Sequence, residues 1–496
     1  MNLTDSLAGN AARQPHAPAV VHPDVMLDHA RLELLARRLA AALRARGLGP
    51  GDRVALTVQR PVLHVIAMLA LARLGVAQLP LGQDESASRA AELGRRLKLA
   101  ALVSDMEPAA QVLPLLRLDP VWLEEERPEG ELAAARGGGG TAPWLFASSS
   151  GTTGAPKLYA ASHHDEAVRA RRDLTVFDFR QGEPYLNLVD LHFAVGRRRV
   201  LHCLMAGGCV FLPRPRTPPG EILTLIERHK IGHVSGTPSH AHAMLAAVEG
   251  GAPPPRALRI LRIGAAAVPQ ALREEVRRRL TPNLYINYGS NEGGTIAAAD
   301  PEIQRRLPGT VGRPMPGLEV EIVDGEDRPV PTGACGRVRL RGEGVIRGYI
   351  DDPAATAEAF RGGWFYPGDL ACFTPEGALM HHGRADDVIV FDGINIHPGE
   401  IEQVLLTHPA VAEAVAFALA NQRYQHVPAA VVVLHGDAKP ADLLRFCGER
   451  LGRRMPQRLT VLPALPRGPT GKVSRRALAE EMAAAVAAQG ARARPT

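Results

Sequence analysis

Helical and extended patterns alternate from residue 31 onward, and that alternation decides the fold class. Arg31 to Arg46 carries leucines and alanines at helical spacing and is stopped by Gly47 and by Gly49-Pro50-Gly51. A strand over Asp52 to Val58, a helix over Val62 to Leu74 ending at Gly75, and strands over Val76 to Leu81 and Leu99 to Ser104 follow. The pattern resumes at Tyr185, with strands over Cys209 to Leu212, His233 to Gly236 and Leu258 to Ile263. Between and around these lie helices over Ala194 to Met205, Ile222 to His229, Ser239 to Val248 and Gln270 to Leu280. Strands that alternate with helices predict parallel sheets with helices on both faces, an α/β fold.

The character changes after residue 310. Leu318 to Val323 and Gly336 to Arg341 alternate as strands among prolines and glycines, which predicts a small β-barrel or antiparallel sheet. Gly383-Arg384-Ala385-Asp386-Asp387 marks the main boundary. Beyond it come a hairpin-like VIVFDGINIH, a helix from Pro398, two strands and a helix from Ala441. We therefore expect a large N-terminal domain over residues 1–384 and a small α+β C-terminal domain over 385–496, the Ala- and Arg-rich end from Ala483 fraying.

Composition excludes several classes. The 496 residues are 46% hydrophobic, enough for two or three domains, and no apolar run approaches the roughly 18 residues of a membrane span. MNLTDSLAGN has no basic cluster before an apolar run, so the expected location is cytoplasmic. The +6 net charge comes from 58 basic and 52 acidic residues spread along the chain without interleaved aromatics. That is a mixed surface and not a nucleic-acid face. Arg197-Arg198-Arg199 reads in the same way, as a solvated helix face in preference to a hold for an anionic acceptor tail. Cys203, Cys209, Cys335, Cys372 and Cys447 lack CxxC spacing and read as reduced thiols, with neither a disulfide framework nor a zinc site indicated. His163-His164, His240 with His242, and His381-His382 lack carboxylates at helical ligand spacing and read as structural or exposed.

One stretch concentrates chemistry. After the apolar Trp144-Leu145-Phe146-Ala147 comes Ser148-Ser149-Ser150-Gly151-Thr152-Thr153-Gly154-Ala155-Pro156-Lys157. Glycines bring backbone N–H groups close to an anion, hydroxyls add donors, and Lys157 adds a point charge, as a phosphate site requires. It is not a P-loop of GxxxxGK[ST] type, since no Ser or Thr follows the lysine. A second cluster, Asn287-Tyr288-Gly289-Ser290-Asn291-Glu292, joins an aromatic that can stack on a base to a carboxylate that suits Mg2+ beside phosphates. Gly368-Asp369 places one acid after a glycine turn, a suitable acceptor for two ribose hydroxyls. Pro466-Arg467-Gly468-Pro469-Thr470-Gly471-Lys472 supplies a second lysine near the end, in a chain whose cations are 53 arginines and five lysines.

Together these stretches resemble the adenylate-forming enzymes: acyl- and aryl-CoA ligases, peptide-synthetase adenylation domains and beetle luciferases. The resemblance covers almost the whole chain, with the motifs in the family's order. It implies that ATP is cradled by the loop from Ser149 through Ser150, Gly151, Thr152, Thr153 and Gly154 to Lys157. It assigns Tyr288 to adenine, Asp369 to ribose and Glu292 to Mg2+. Ala265, Asn287, Gly289, Ser290, Asn291 and Arg384 join the nucleotide site, although the family usually has Thr where Asn291 stands. Lys472 would bridge the acid's carboxylate and the α-phosphate. The C-terminal domain would be mobile, with Asp386 as hinge and Gly393 beside a tunnel for the accepting thiol, CoA or a carrier-protein phosphopantetheine.

The same resemblance bears on the acid, whose pocket it places at His192, Phe193, Gly264 and Gly289. Amino-acid-activating members carry an Asp after a Phe, whereas Ala194 follows Phe193 here. A buried, unpaired ammonium would cost several kcal/mol, so an aromatic or other small non-amino acid is expected. The implied reaction is adenylation of that acid and transfer to a thiol, CoA first, by a monomer or homodimer. Stand-alone loading of a carrier protein is the alternative, a medium-chain acyl-CoA synthetase the second, and a non-catalytic nucleotide-binding relative the reading from a different class.

Overall fold

The computed structural model describes residues 2–82, 85–108, 111–149, 157–180, 182–392, 394–421, 425–467 and 473–492. The first part of the chain builds two large sheets. One has six strands in the order Leu115–Arg117, Ala101–Ser104, Arg53–Thr57, Ala77–Pro80, Pro143–Ser149 and Lys157–Ser162, parallel except for the last pair. The other has nine. Its interior strands Leu284–Ser290, Ile260–Ile263, His233–Gly236, Pro184–Asn187, Cys209–Phe211 and Pro18–His22 run parallel, and antiparallel strands close both ends.

The expected α/β architecture is thus present, and the apolar pattern explains it. Leu63 through Leu74 of the helix Pro61–Leu74 are all buried, as expected of a helix with no polar face. That helix shares one core with Val54, Leu56 and Leu145 of the six-stranded sheet and Val20 and Val210 of the nine-stranded one. Local signals fix the helix starts. The Asp28 carboxylate accepts the Arg31 amide at 2.7 Å ahead of His29–Ala45. Ser162 and Asp165 cap His163–Val176 reciprocally.

The following segment forms an antiparallel sheet of six strands, including Glu319–Val323, Cys335–Arg341, Asp369–Phe373 and Leu379–Arg384. Past the short turn Ala385–Asp387, the hairpin Ile389–Phe391 and Ile394–Ile396 precedes a three-stranded sheet of Val411–Asn421, Gln425–Leu434 and Arg458–Val461. The final helix continues to Arg492, beyond the point where fraying is expected from the sequence.

The triple arginine overturns its sequence reading. Arg197, Arg198 and Arg199, on the helix Ala194–Met205, are 0%, 6% and 6% exposed. The neighbouring helix His163–Val176 supplies the counter-charges of Arg198 and Arg199 from Glu166 and Asp173, two turns apart on one face. Arg198 Nε lies 2.9 Å from Glu166, whose carboxylate also meets His202 Nε2 at 2.7 Å. Asp173 accepts from Arg199 and from Arg262, each at 3.0 Å. Arg197 donates to Gln78 Oε1 at 2.5 Å and lies 2.9 Å from His64 Nε2. Burial lowers that guanidinium to about 9, so it stays charged at neutral pH.

Candidate active site

The site lies where the strand Leu284–Ser290 ends, at the carboxyl edge of the parallel strands, where open α/β sheets hold ligands. The strand turns back at once into Gly294–Ala299, with a bulge between Tyr288 and Gly289. The turn leaves no room at Gly289, where a Cβ would stand 2.3 Å from the Gly294 carbonyl oxygen. Ser290 Oγ closes it by accepting the Gly293 amide at 2.9 Å.

From this edge Tyr288 donates its hydroxyl to Asp369 Oδ2 at 2.5 Å. Asp369 opens a strand of the antiparallel sheet, so two sheets meet at this contact. Arg384 Nη1 lies 3.5 Å and His381 Nε2 3.7 Å from Asp369 Oδ1, while the His381 ring sits 5.0 Å from that of Tyr288. Burial pushes the Asp369 carboxyl up, but His381, the Tyr288 hydroxyl and Arg384 outweigh it and hold the group below the usual carboxylate range. A carboxylate kept ionised at 7% exposure can accept two ligand hydroxyls.

Glu292 follows on the same turn and is 6% exposed. Its Oε1 accepts the Tyr349 hydroxyl at 3.0 Å, and its backbone carbonyl accepts Arg169 Nη2 at 2.5 Å. No hydrogen bond to Oε2 occurs among the described residues, which leaves an oxygen suited to a hard cation. The face of Tyr349 also meets Lys157 Nζ, 5.3 Å from the ring centroid, and Lys157 pairs with Glu358 at 3.7 Å. Ser149 and Lys157 stand opposite each other in the hairpin that flanks the expected phosphate loop. Asn291 ties that hairpin to the turn, its Nδ2 donating to the Ser148 carbonyl at 3.2 Å. The amide thus holds protein backbone from the position where Thr is usual.

Behind the strand end, Asn287 packs so closely that a Cβ on Gly264 would meet its Nδ2 at 2.4 Å. Arg262 Nε donates to Asn287 Oδ1 at 3.2 Å, and the buried ion cluster thereby reaches the site. Ala265, next to Gly264, holds a left-handed backbone with φ of 71°, a conformation that costs a residue with a Cβ. His192 stands apart from these groups, its Nδ1 2.6 Å from Asp190 and its ring 5.2 Å from that of His64. Phe193 occupies the N-cap position of the helix Ala194–Met205, without a side-chain capping hydrogen bond. Asp386 is exposed and lies 3.3 Å from Arg384 Nη2.

Ser150, Gly151, Thr152, Thr153, Gly154, Gly393 and Lys472, and the side chain of Ser149, lie outside the described residues. Four contributors were not expected from the sequence: Tyr349, Arg169, Arg262 and His381. His381, read there as structural or exposed, belongs to the group around Asp369. Strand alternation carries the signal, since His381 and Asp369 belong to paired strands, whereas helical ligand spacing does not register groups brought together across two strands.

Similarity to known proteins places the chain in a family. Residues 7–350 match the family model described as AMP-binding enzyme, and residues 400–472 match AMP-binding enzyme C-terminal domain. A 2-succinylbenzoate–CoA ligase of Bacillus subtilis is 27% identical, over 95% of this chain and 96% of its own. A salicyl-AMP ligase / salicyl-S-ArCP synthetase of Mycobacterium tuberculosis is 30% identical, over 92% of this chain and 85% of its own. The solved O-succinylbenzoate coenzyme A synthetase of Bacillus subtilis, in complex with ATP and magnesium ion, has a TM-score of 0.84 at 25% identity, covering 95% of this chain and 98% of that one. The chain belongs to the AMP-binding enzyme family. By class it is an AMP-forming acid–thiol ligase and binds ATP. No helix among the described residues is long and apolar enough to cross a membrane.

Proposed function

We propose that this enzyme activates an aromatic or other small non-amino carboxylic acid as its acyl-AMP and transfers the acyl group to the thiol of CoA. The observation that carries the reading is the meeting of Tyr288 and Asp369 beside the Glu292 turn, which offers a base-stacking face, a diol acceptor and a cation ligand along one strand end.

The division of labour follows from the chemistry. A carboxylate is a poor acyl donor because oxide leaves badly. Attack of its oxygen on the α-phosphorus of ATP breaks the bond to pyrophosphate and installs AMP as the leaving group. Positioning and charge neutralisation supply most of such catalysis. Tyr288 and Asp369, with Arg384 beside them, hold the nucleoside, and Lys157 with the Ser149 to Gly154 loop meets the departing pyrophosphate. Glu292 would hold Mg2+, which neutralises phosphate charge when bound. Lys472 neutralises the carboxylate and α-phosphate as they approach. A thiolate then attacks the acyl carbon, AMP leaves, and a thioester remains.

Residues 1–384 and 385–496 serve as the two units of this cycle, with Asp386 as hinge between adenylation and thiol transfer and Gly393 beside the thiol path. His192, Phe193, Gly264 and Gly289 belong to the acid pocket. Ala194 provides no carboxylate for an α-ammonium, and both relatives named above carry aryl acids in their names. The salicyl relative, whose name includes a carrier-bound product, favours a second reading in which the acceptor is a carrier-protein phosphopantetheine.

Thioester formation with free CoA separates the two. Saturable consumption of CoA with an aryl acid and ATP is expected. Acyl-AMP that accumulates with CoA and is discharged only by a phosphopantetheinylated carrier would assign the enzyme to carrier loading.

A further inference from the structure

A second constellation lies on the antiparallel sheet, on the face away from Asp369. Cys335 and Cys372 stand directly opposite each other on the paired strands Cys335–Arg341 and Asp369–Phe373. The next strand, Leu379–Arg384, pairs with Asp369–Phe373 through a register shift at Leu370/Ala371, so that Ala371 faces His381 and Leu370 faces Gly383. His382 is the extra residue of that bulge. Strand alternation sends His381 towards the nucleotide side and His382 to the other. His382 Nε2 ends 3.3 Å from Cys372 Sγ, and the two sulfurs and one imidazole nitrogen lie within 4.8 Å of one another.

We propose that Cys335, Cys372 and His382 form a site for a soft d10 metal ion, zinc(II) in particular, separate from the carboxylate-held magnesium of the catalytic reading. The ligand set argues for this ion class. Two thiolates with an imidazole match zinc and copper(I), whereas magnesium and calcium take oxygen ligands. The spacing agrees too. A tetrahedral zinc with Zn–S about 2.3 Å and Zn–N about 2.0 Å sets its donors about 3.5 to 3.8 Å apart, so only small rotamer changes are needed.

Cys335 is exposed and Cys372 and His382 are half-buried, so an ion has a path in, and water can complete a fourth position. Binding would release the two thiol protons and join three strands at one point. The helix Pro398–Leu405 packs over the strand that carries His382, and a Cβ on Gly399 would lie 3.7 Å from the His382 carbonyl oxygen. The His382 end of the site therefore lies beside the first helix of the C-terminal segment.

The test is titration of the full-length, freshly reduced protein with cobalt(II), a spectroscopic substitute for zinc. One equivalent per chain is expected to give a thiolate-to-cobalt charge-transfer band that one equivalent of zinc abolishes. Cys335→Ser, at an exposed position, and Cys372→Ser are each expected to remove the band while keeping carboxylate-dependent pyrophosphate exchange. Absence of the band in the reduced wild-type chain overturns the proposal, as does a band that survives in both variants. Thiol counting gives a further arm. Reductant-free protein that lacks two thiols, with Cys335 and Cys372 recovered as one disulfide-linked peptide, and that still takes no cobalt after reduction, identifies the pair as a redox couple instead.

Discussion

Glu166→Gln is expected to lower the stability of the protein by about 3 to 5 kcal/mol, the usual cost of removing one partner from a buried ion cluster. Glu166 is fully buried and meets Arg198 at 2.9 Å and His202 at 2.7 Å, with Arg169 at 3.8 Å. A neutral amide keeps the shape but leaves these cations without their counter-charge. The effect should reach the site, because Arg169 also holds the Glu292 carbonyl. Burial pushes the Glu166 carboxyl up, but Arg198, His202 and Arg169 outweigh it and hold the group at about 2 against an ordinary 4.5. A depressed carboxyl stabilises the fold above its unfolded value and loses that contribution as pH falls through the folded one. The urea midpoint of the wild type should therefore decline between about pH 4.5 and pH 2, and that of Glu166→Gln should decline less. Equal midpoints at pH 7 would show that the cluster does not hold the two helices together.

Asp369→Asn should cost kcat/KM for ATP by about 10- to 100-fold while leaving KM for the acid nearly unchanged. A hydrogen bond to a charged group contributes about 1.5 to 3 kcal/mol, and each 1.4 kcal/mol is tenfold. Asparagine keeps one acceptor oxygen but loses the charge that Arg384 and His381 face at 3.5 and 3.7 Å. Steady-state kinetics with ATP varied at saturating acid measures the first effect, and the reverse experiment the second. A variant with wild-type ATP kinetics would remove Asp369 from the nucleotide site.

Much of the architecture was legible because its signals are local. The helix Ala194–Met205 and the strand His233–Gly236 have the limits that periodicity and glycine placement indicate. Ser-Gly-Thr clusters, a Gly-Asp and an aromatic beside an acid are local as well, and they drew attention to Tyr288, Glu292 and Asp369. What sequence reading missed depends on partners far along the chain. Arg198, Arg199 and His202 take their acids from 32, 26 and 36 residues away, so a charge run read by itself looks solvated. Tyr349 reaches Glu292 across 57 residues, and nothing around Tyr349 marks it as a neighbour of an acid. The cysteines lack CxxC spacing, yet strand pairing sets Cys335 against Cys372 across 37 residues of sequence.

Carboxylate-dependent exchange of pyrophosphate into ATP tests the central claim most directly, because it needs only the first half-reaction. Across aryl, aliphatic and α-amino acids, the wild type should exchange with aryl acids and stay silent with amino acids. Lys472→Ala should lower the signal by at least about 100-fold, as expected when a preorganised charge at the reacting centre is removed. Silence across the panel from folded protein that still binds ATP, or exchange undiminished in Lys472→Ala, would contradict the account.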